Sequence, residues 1–258
     1  MNRFTVCRLA LVVAFVSVRL SGLAQTIYSE NFDSGFAGES LTDPQYGFTS
    51  YSGDLKLGSA KHGWTGNSII GSSGSDAGQL NLDYKFLPLP AHGLLEFSED
   101  FFSPTLTGSS TADDVAIQLF NGVPGATGNG YDLRAEGTYW FSEDLTPGGA
   151  NYWYSPTGLH NEVVTGSIFW NQDTGEHWSE VSDGTTTFDS PHLFDPSAGP
   201  MTGIDLYIDQ RDNTNPGDID NLRVIRRDAS TPEPFTMSLG IAGAGLFFRR
   251  RLRLVKGG

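Results

Sequence analysis

The stretch Ile168–Asp189, IFWNQDTGEHWSEVSDGTTTFD, reads as strand, turn, strand, turn. QDTG (Gln172–Gly175) and SDGT (Ser182–Thr185) bring Asp and Gly together between β-rich segments, which is hairpin composition. The same rhythm extends outward in both directions. IYSENF, LLEFSEDF, DVAIQLF, GTYWFS, VTGSIFW and IDLYID are short, rich in β-branched and aromatic residues, and partly alternating. Clusters of Gly, Asn, Asp, Ser and Pro separate them. With 32 glycines and regularly spaced short strands, the expected fold is all-β: an antiparallel β-sandwich or jelly roll. Residues 25–230 have the length of one such domain.

The two ends of the chain have a different character. Met1–Arg8 carries Arg3 and Arg8, Leu9–Val18 (LALVVAFVSV) is apolar, and Gly22 and Ala24 follow as small residues. This is the plan of a secretory signal peptide over residues 1–24, cleaved after Ala24. A retained anchor is disfavoured because the apolar core is short. The only cysteine, Cys7, precedes that core, so the mature chain has no disulfide or thiol chemistry. At the other end, Phe235–Phe248 is uncharged and is followed by Arg249, Arg250, Arg251, Arg253 and Lys256. An apolar segment with a cationic end keeps that end in the cytoplasm. The segment is shorter than the ~20 residues of a full span, and Gly240, Gly243 and Gly245 weaken it as a helix. It suits a transient hold in the membrane.

Pro232-Glu233-Pro234, a short apolar segment and a terminal arginine cluster, in that order, resemble the PEP-CTERM sorting signal of Gram-negative bacteria. The resemblance covers residues 231–258. It implies a short C-terminal membrane helix, transient residence in the inner membrane, and an exosortase as processing partner. It further implies delivery to the cell surface or beyond, in association with exopolysaccharide, biofilm or floc.

The formal net charge is −14. Residues 26–231 hold every acid except Glu233 but only half of the sixteen basic residues. Such a domain repels nucleic acid and anionic lipid and favours cations. Its hairpin-rich middle, together with GDIDNLRVI near its end, resembles in pattern the concanavalin A-like lectin/glucanase sandwiches of secreted bacterial proteins.

Three groups of residues carry possible chemistry. In TIYSENFD, Glu30 shares a strand face with Tyr28 and Phe32; in GDIDNLRVI, Asp220 shares one with Leu222 and Val224, and Asp218 stands beside it. A carboxylate on an apolar face must be paired, metal-bound or wet. Pairing of the terminal strands would bring Glu30 towards Asp218 and Asp220, a set of oxygens suited to structural Ca²⁺. No other cofactor is expected, and exposed strand ends are the plainer alternative. Next, TYWF (Tyr139, Trp140, Phe141) and NYWYS (Tyr152, Trp153, Tyr154) flank EDLTPGGA, which reads as a long hairpin loop. Aromatic rings at one rim would stack on the C–H faces of sugars, although alternation sends half of them into the core.

Catalytic carboxylates are the third group. Glycoside hydrolases of the sandwich class carry acids in the manner of E-x-D-x-x-E on one strand, and no such run occurs here. Glu176 and Glu180 flank a turn as solvated hairpin acids. Asp205 and Asp209 share a face about 13 Å apart at ~3.3 Å per residue, beyond the ~6.5–9.5 Å of inverting enzymes. The five histidines have no metal-ligand spacing, and no G-x-S-x-G elbow occurs. The expected role is a non-enzymatic, exported matrix protein able to bind extracellular polysaccharide. A secreted glycoside hydrolase is the alternative.

Overall fold

Buried and more open residues alternate throughout Glu176–Ser182 and along parts of Val163–Asn171 and Asp218–Arg227. The computed structural model describes residues 24–43, 46–52, 55–70, 78–82, 89–103, 113–122, 130–145, 151–208 and 217–227. The signal segment apart from Ala24, the Pro232-Glu233-Pro234 motif, the C-terminal apolar segment, the arginine cluster and Asp209 lie outside the described residues. In chain order the strands are β1 (Gln25–Glu30), β2 (Phe48–Ser52), β3 (Lys56–Ser59), β4 (Asn67–Ile70), β5 (Gly78–Leu82), β6 (Leu94–Phe102), β7 (Asp113–Phe120) and β8 (Gly130–Glu136). There follow β9 (Tyr139–Asp144), β10 (Tyr152–Tyr154), β11 (Val163–Asn171), β12 (Glu176–Ser182), β13 (Thr187–Asp189), β14 (Leu193–Phe194), β15 (Gly203–Ile208) and β16 (Asp218–Arg227).

They form two antiparallel sheets, with no helix among the described residues. The nine-stranded sheet runs β13-β12-β11-β6-β16-β4-β3, with β1 also on β16 and β14 also on β12. The seven-stranded sheet runs β10-β9-β8-β7-β15-β5-β2. The described residues form an antiparallel β-sandwich.

The quoted stretch forms the β11–β12 hairpin, with Phe169 opposite Trp178 and Trp170 opposite His177. QDTG is its loop. Gly175 sits at φ 71°, and a Cβ there would lie 2.2 Å from the Asp195 carbonyl oxygen, so the turn needs glycine. In the second turn the Asp183 carboxylate accepts the Thr185 and Thr186 amides, both at 2.6 Å.

Between the sheets lie Phe97, Phe101, Tyr131, Trp140, Ile168, Trp170, Ile204, Leu206 and Val224, each essentially inaccessible. Burying each such side chain contributes about 1.5–3 kcal/mol. The Trp140 indole N–H donates to the Leu159 carbonyl at 3.1 Å, which satisfies the one polar atom it takes into the core. Gly166 gives Phe101 its space, because a Cβ there would meet that ring at 2.3 Å.

The terminal strands do pair: β1 runs antiparallel to β16 with Glu30 opposite Leu222. β16 lies between β6 on one side and β4 and β1 on the other. Its pairing with β6 slips between Asp220 and Arg223. Asn221 there takes φ 53°, a left-handed conformation that Asn tolerates better than most residues.

Candidate functional site

On β7, β8, β9 and β15 every second residue enters the core: Val115, Ile117 and Leu119; Tyr131, Leu133 and Ala135; Trp140; Ile204, Leu206 and Ile208. The intervening residues therefore occupy the outer face of the seven-stranded sheet. Strand register sets them in rows. One row runs Asp205, Gln118, Asp132, Glu143, Tyr152. The next runs Tyr207, Ala116, Arg134, Phe141, Tyr154. Beyond it Glu136 stands opposite Tyr139.

This face opens towards its β9–β10 edge. Asp205 is 0% and Asp132 3% exposed, whereas Tyr139, Tyr154 and Tyr152 are 38%, 46% and 61% exposed. The rings form one ledge: Tyr139–Tyr154 centroids are 5.5 Å apart, Tyr152–Tyr154 5.7 Å and Phe141–Tyr154 4.7 Å. Arg134 caps Phe141 at 4.2 Å from its ring centre, within cation–π range. The same guanidinium reaches Asp132 at 2.5 Å, Glu143 at 3.3 Å and Glu136 at 3.8 Å. The Tyr154 hydroxyl is raised above the usual phenol value, first by desolvation and then by Glu136, with Tyr152 and Glu143 adding to it.

The hairpin expected around EDLTPGGA is present, with Tyr152 opposite Glu143 and Tyr154 opposite Phe141. The ledge differs in membership from the expected platform. Trp140 leaves it for the core, because its parity on β9 points inward. Trp153 pairs with the inward-facing Ser142 and is half-buried. Tyr139, Tyr152 and Tyr154 remain. Sequence reading missed Asp132, Arg134, Glu136 and Glu143, although the alternation in Gly130–Glu136 places three of them on one face.

The acids expected to hold calcium separate. Glu30 accepts the Phe32 amide at 2.8 Å. Asp218 is fully buried and accepts from the His62 ring at 3.0 Å; its carboxyl is raised chiefly by that burial. Asp220 instead lines a cavity of about 310 Å³ with Asn31, Asp33, Trp64, Thr65 and Asn221. Its carboxyl is pushed up to about 7, mainly by burial, with repulsion from Asp33 and Asp100 adding to it. Asp100 faces it directly across β6. Among the described residues, no three His, Cys, Asp or Glu side chains converge as a metal site.

Glu176 and Glu180, expected around a turn, both lie within β12, so they are four residues apart on one face, about 13 Å. Glu176 pairs with His192 at 2.8 Å. Glu180 is raised by desolvation and by Asp189 and Glu96. Asp205 occupies the centre of the opposite sheet's outer face.

No protein-family profile matches the chain, and no curated protein does. Among solved structures it is similar to a conserved carbohydrate esterase of the Shiga toxin-encoding bacteriophage phi24B, at 14% identity and TM-score 0.52 over 80% of this chain and 100% of that one. It is also similar to arcelin-5, a lectin-like defence protein of Phaseolus vulgaris, at 8% identity and TM-score 0.50 over 78% and 98% of the two chains. The botulinum neurotoxin serotype G binding domain gives 10% identity and TM-score 0.50 over 83% and 50%. At these identities the likeness is one of fold: a lectin-like β-sandwich.

Proposed function

We propose that this is an exported, exosortase-processed protein that binds carbohydrate without turning it over, in an extracellular polysaccharide matrix. The observation that carries the binding role is the ledge of Tyr139, Tyr152 and Tyr154, exposed beside a row of carboxylates and an amide on one sheet face. Aromatic faces stack on sugar rings, and carboxylate and amide groups take hydroxyls. Export and sorting rest on the signal segment and on Pro232-Glu233-Pro234 with Arg249, Arg250, Arg251 and Arg253.

A glycan array combined with a hydrolysis assay on the mature protein tests the reading. Retention of glycan without product release is the expected result. Release of sugar by the wild type, lost in Glu176→Gln or Glu180→Gln, would establish the glycoside hydrolase alternative. Mass spectrometry of the surface-located species tests sorting, since an intact FFRRR terminus would refute it.

A structural Ca²⁺ belongs to the same proposal, at the cavity where Asp33 and Asp220 meet Asn31 and Asn221. The two carboxylates are donors of the kind a hard cation takes, with the Asn31 and Asn221 side chains beside them. Burial raises Asp220 most, and the repulsion from Asp33 and Asp100 that adds to it is what a bound cation would relieve.

A further inference from the structure

The strands of the seven-stranded sheet contain one basic residue, Arg134, and its guanidinium is already shared among Asp132, Glu143 and Glu136 while it covers Phe141. No cation on these strands is left to meet an anionic sugar. The acids bordering the ledge remain accessible: the Glu143 side chain is 33% exposed and that of Glu136 17%. Glu143 stands opposite Tyr152 and Glu136 opposite Tyr139, which places them at the ledge itself. Carboxylates beside open aromatic faces attract ammonium groups twice, by charge-assisted hydrogen bonding and by cation–π contact. They repel uronates, whose desolvation there nothing would offset.

Resting on the carbohydrate-binding reading above, we infer that the ledge takes a polysaccharide bearing protonated amino groups, with Glu136 and Glu143 as the specificity-determining residues and Tyr152 and Tyr154 as the stacking surface. An amino-sugar unit lying on Tyr152 and Tyr154 would direct its ammonium towards the free side of the Glu143 carboxylate. Arg134 then acts as a positioning residue that holds Glu143 and Asp132 in place.

The test is titration of the mature protein with three soluble probes. These are a deacetylated β-1,4-linked glucosamine oligomer, its fully N-acetylated counterpart, and a polyuronate. The expected result is binding of the amine-bearing oligomer about tenfold or more tighter than the acetylated one, about 1.4 kcal/mol, with no binding of the polyuronate. Glu136→Gln with Glu143→Gln should erase the preference, so that the variant binds the two oligomers with equal affinity. In the wild type, about 0.5 M salt should also erase it, since screening then acts within a few ångströms; this arm needs no variant to fold. Equal affinity for the two oligomers, or tighter binding of the polyuronate, would overturn the inference. So would failure of all three probes while some other glycan is retained on the array, which leaves the binding proposal standing. Failure on every glycan would overturn that proposal as well.

Discussion

The two outer faces of the sandwich use similar side chains to opposite ends. On the nine-stranded sheet Trp178 stacks on Phe169 at 4.7 Å and on His192 at 4.2 Å, and β11 and β14 flank its strand on opposite sides. Its ring is taken up by neighbours. Charge is also settled within that face: Arg227 binds Glu96, Arg223 lies 3.6 Å from Asp100, and Glu176 holds His192. On the seven-stranded sheet the tyrosines meet edge to face and Tyr152 also stacks on Phe141, yet Tyr139, Tyr152 and Tyr154 stay exposed, and acids outnumber the one arginine. Around Trp178, where rings and charges are mutually satisfied, the surface is closed for binding, and among the described residues the exposed ring of this sheet is Phe194 on the short strand β14. A face with open rings and surplus carboxylate is available.

Four measurements test this contrast. The largest effect is expected from Tyr152→Ala with Tyr154→Ala. Glycan affinity should fall more than a hundredfold, about 3 kcal/mol on the scale of aromatic hot spots, with the melting temperature little changed because both rings are exposed. Chelation should come next. With calcium held at about a hundredfold over its Kd, its removal would cost about 2.7 kcal/mol, several degrees of melting temperature, and Asp220→Ala should abolish that sensitivity. Glycan affinity should not move, since the cavity is lined by the segment after β1, the 63–65 loop and β16. An unchanged melting curve in excess chelator would remove the calcium.

The third measurement concerns the interior. Glu99 is fully buried on the inward face of β6, and neither carboxyl oxygen has a hydrogen-bond partner. Burial, with Asp100 adding, pushes its carboxyl well above the ordinary carboxylate range. The folded state therefore holds this proton more tightly than the unfolded chain does. Its contribution to stability is complete below the unfolded value and is lost as pH rises towards the folded one, at up to about 1.4 kcal/mol per pH unit. Thermal melts from acid to mildly alkaline pH should show this decline, and Glu99→Gln should flatten it. The smallest effect is the control: Trp178→Ala should change glycan affinity by less than about 0.5 kcal/mol. A large loss there would mean that the wrong face had been chosen.

Period-two patterning and Asp-Gly turns were enough to find β1, β6, β7, β9, β11, β12, β15 and β16, while β8 went unread although its GYDLRAE alternates and pairs over six residues with β9. β3, β4 and β14 escaped, since four residues or fewer leave almost no alternation to see. Within the candidate site, TYWF and NYWYS were legible as aromatics facing each other across a hairpin. Which rings belong to the core was not, because parity assigns residues to alternate faces without saying which face is inside. The acids at the terminal strands show the same limit. Strand pairing was legible, yet the slip between Asp220 and Arg223, Glu30's turn back to the Phe32 amide and His62's approach to Asp218 depend on loops and side-chain geometry.

The position of β16 has a consequence in time. The last strand of the sandwich fills the middle of the larger sheet, so β6, β4 and β1 wait for a partner that emerges after nearly all of the domain. Contacts between strands some two hundred residues apart, as in Gln25 opposite Arg226, close slowly because the intervening loop must first be ordered. Until then β6 offers an unpaired edge to any other chain. Glu96, Glu99 and Asp100 on that edge are charges of the kind that discourage foreign strands. The carboxylate row along β6 thus guards the growing chain before it becomes part of the finished sheet.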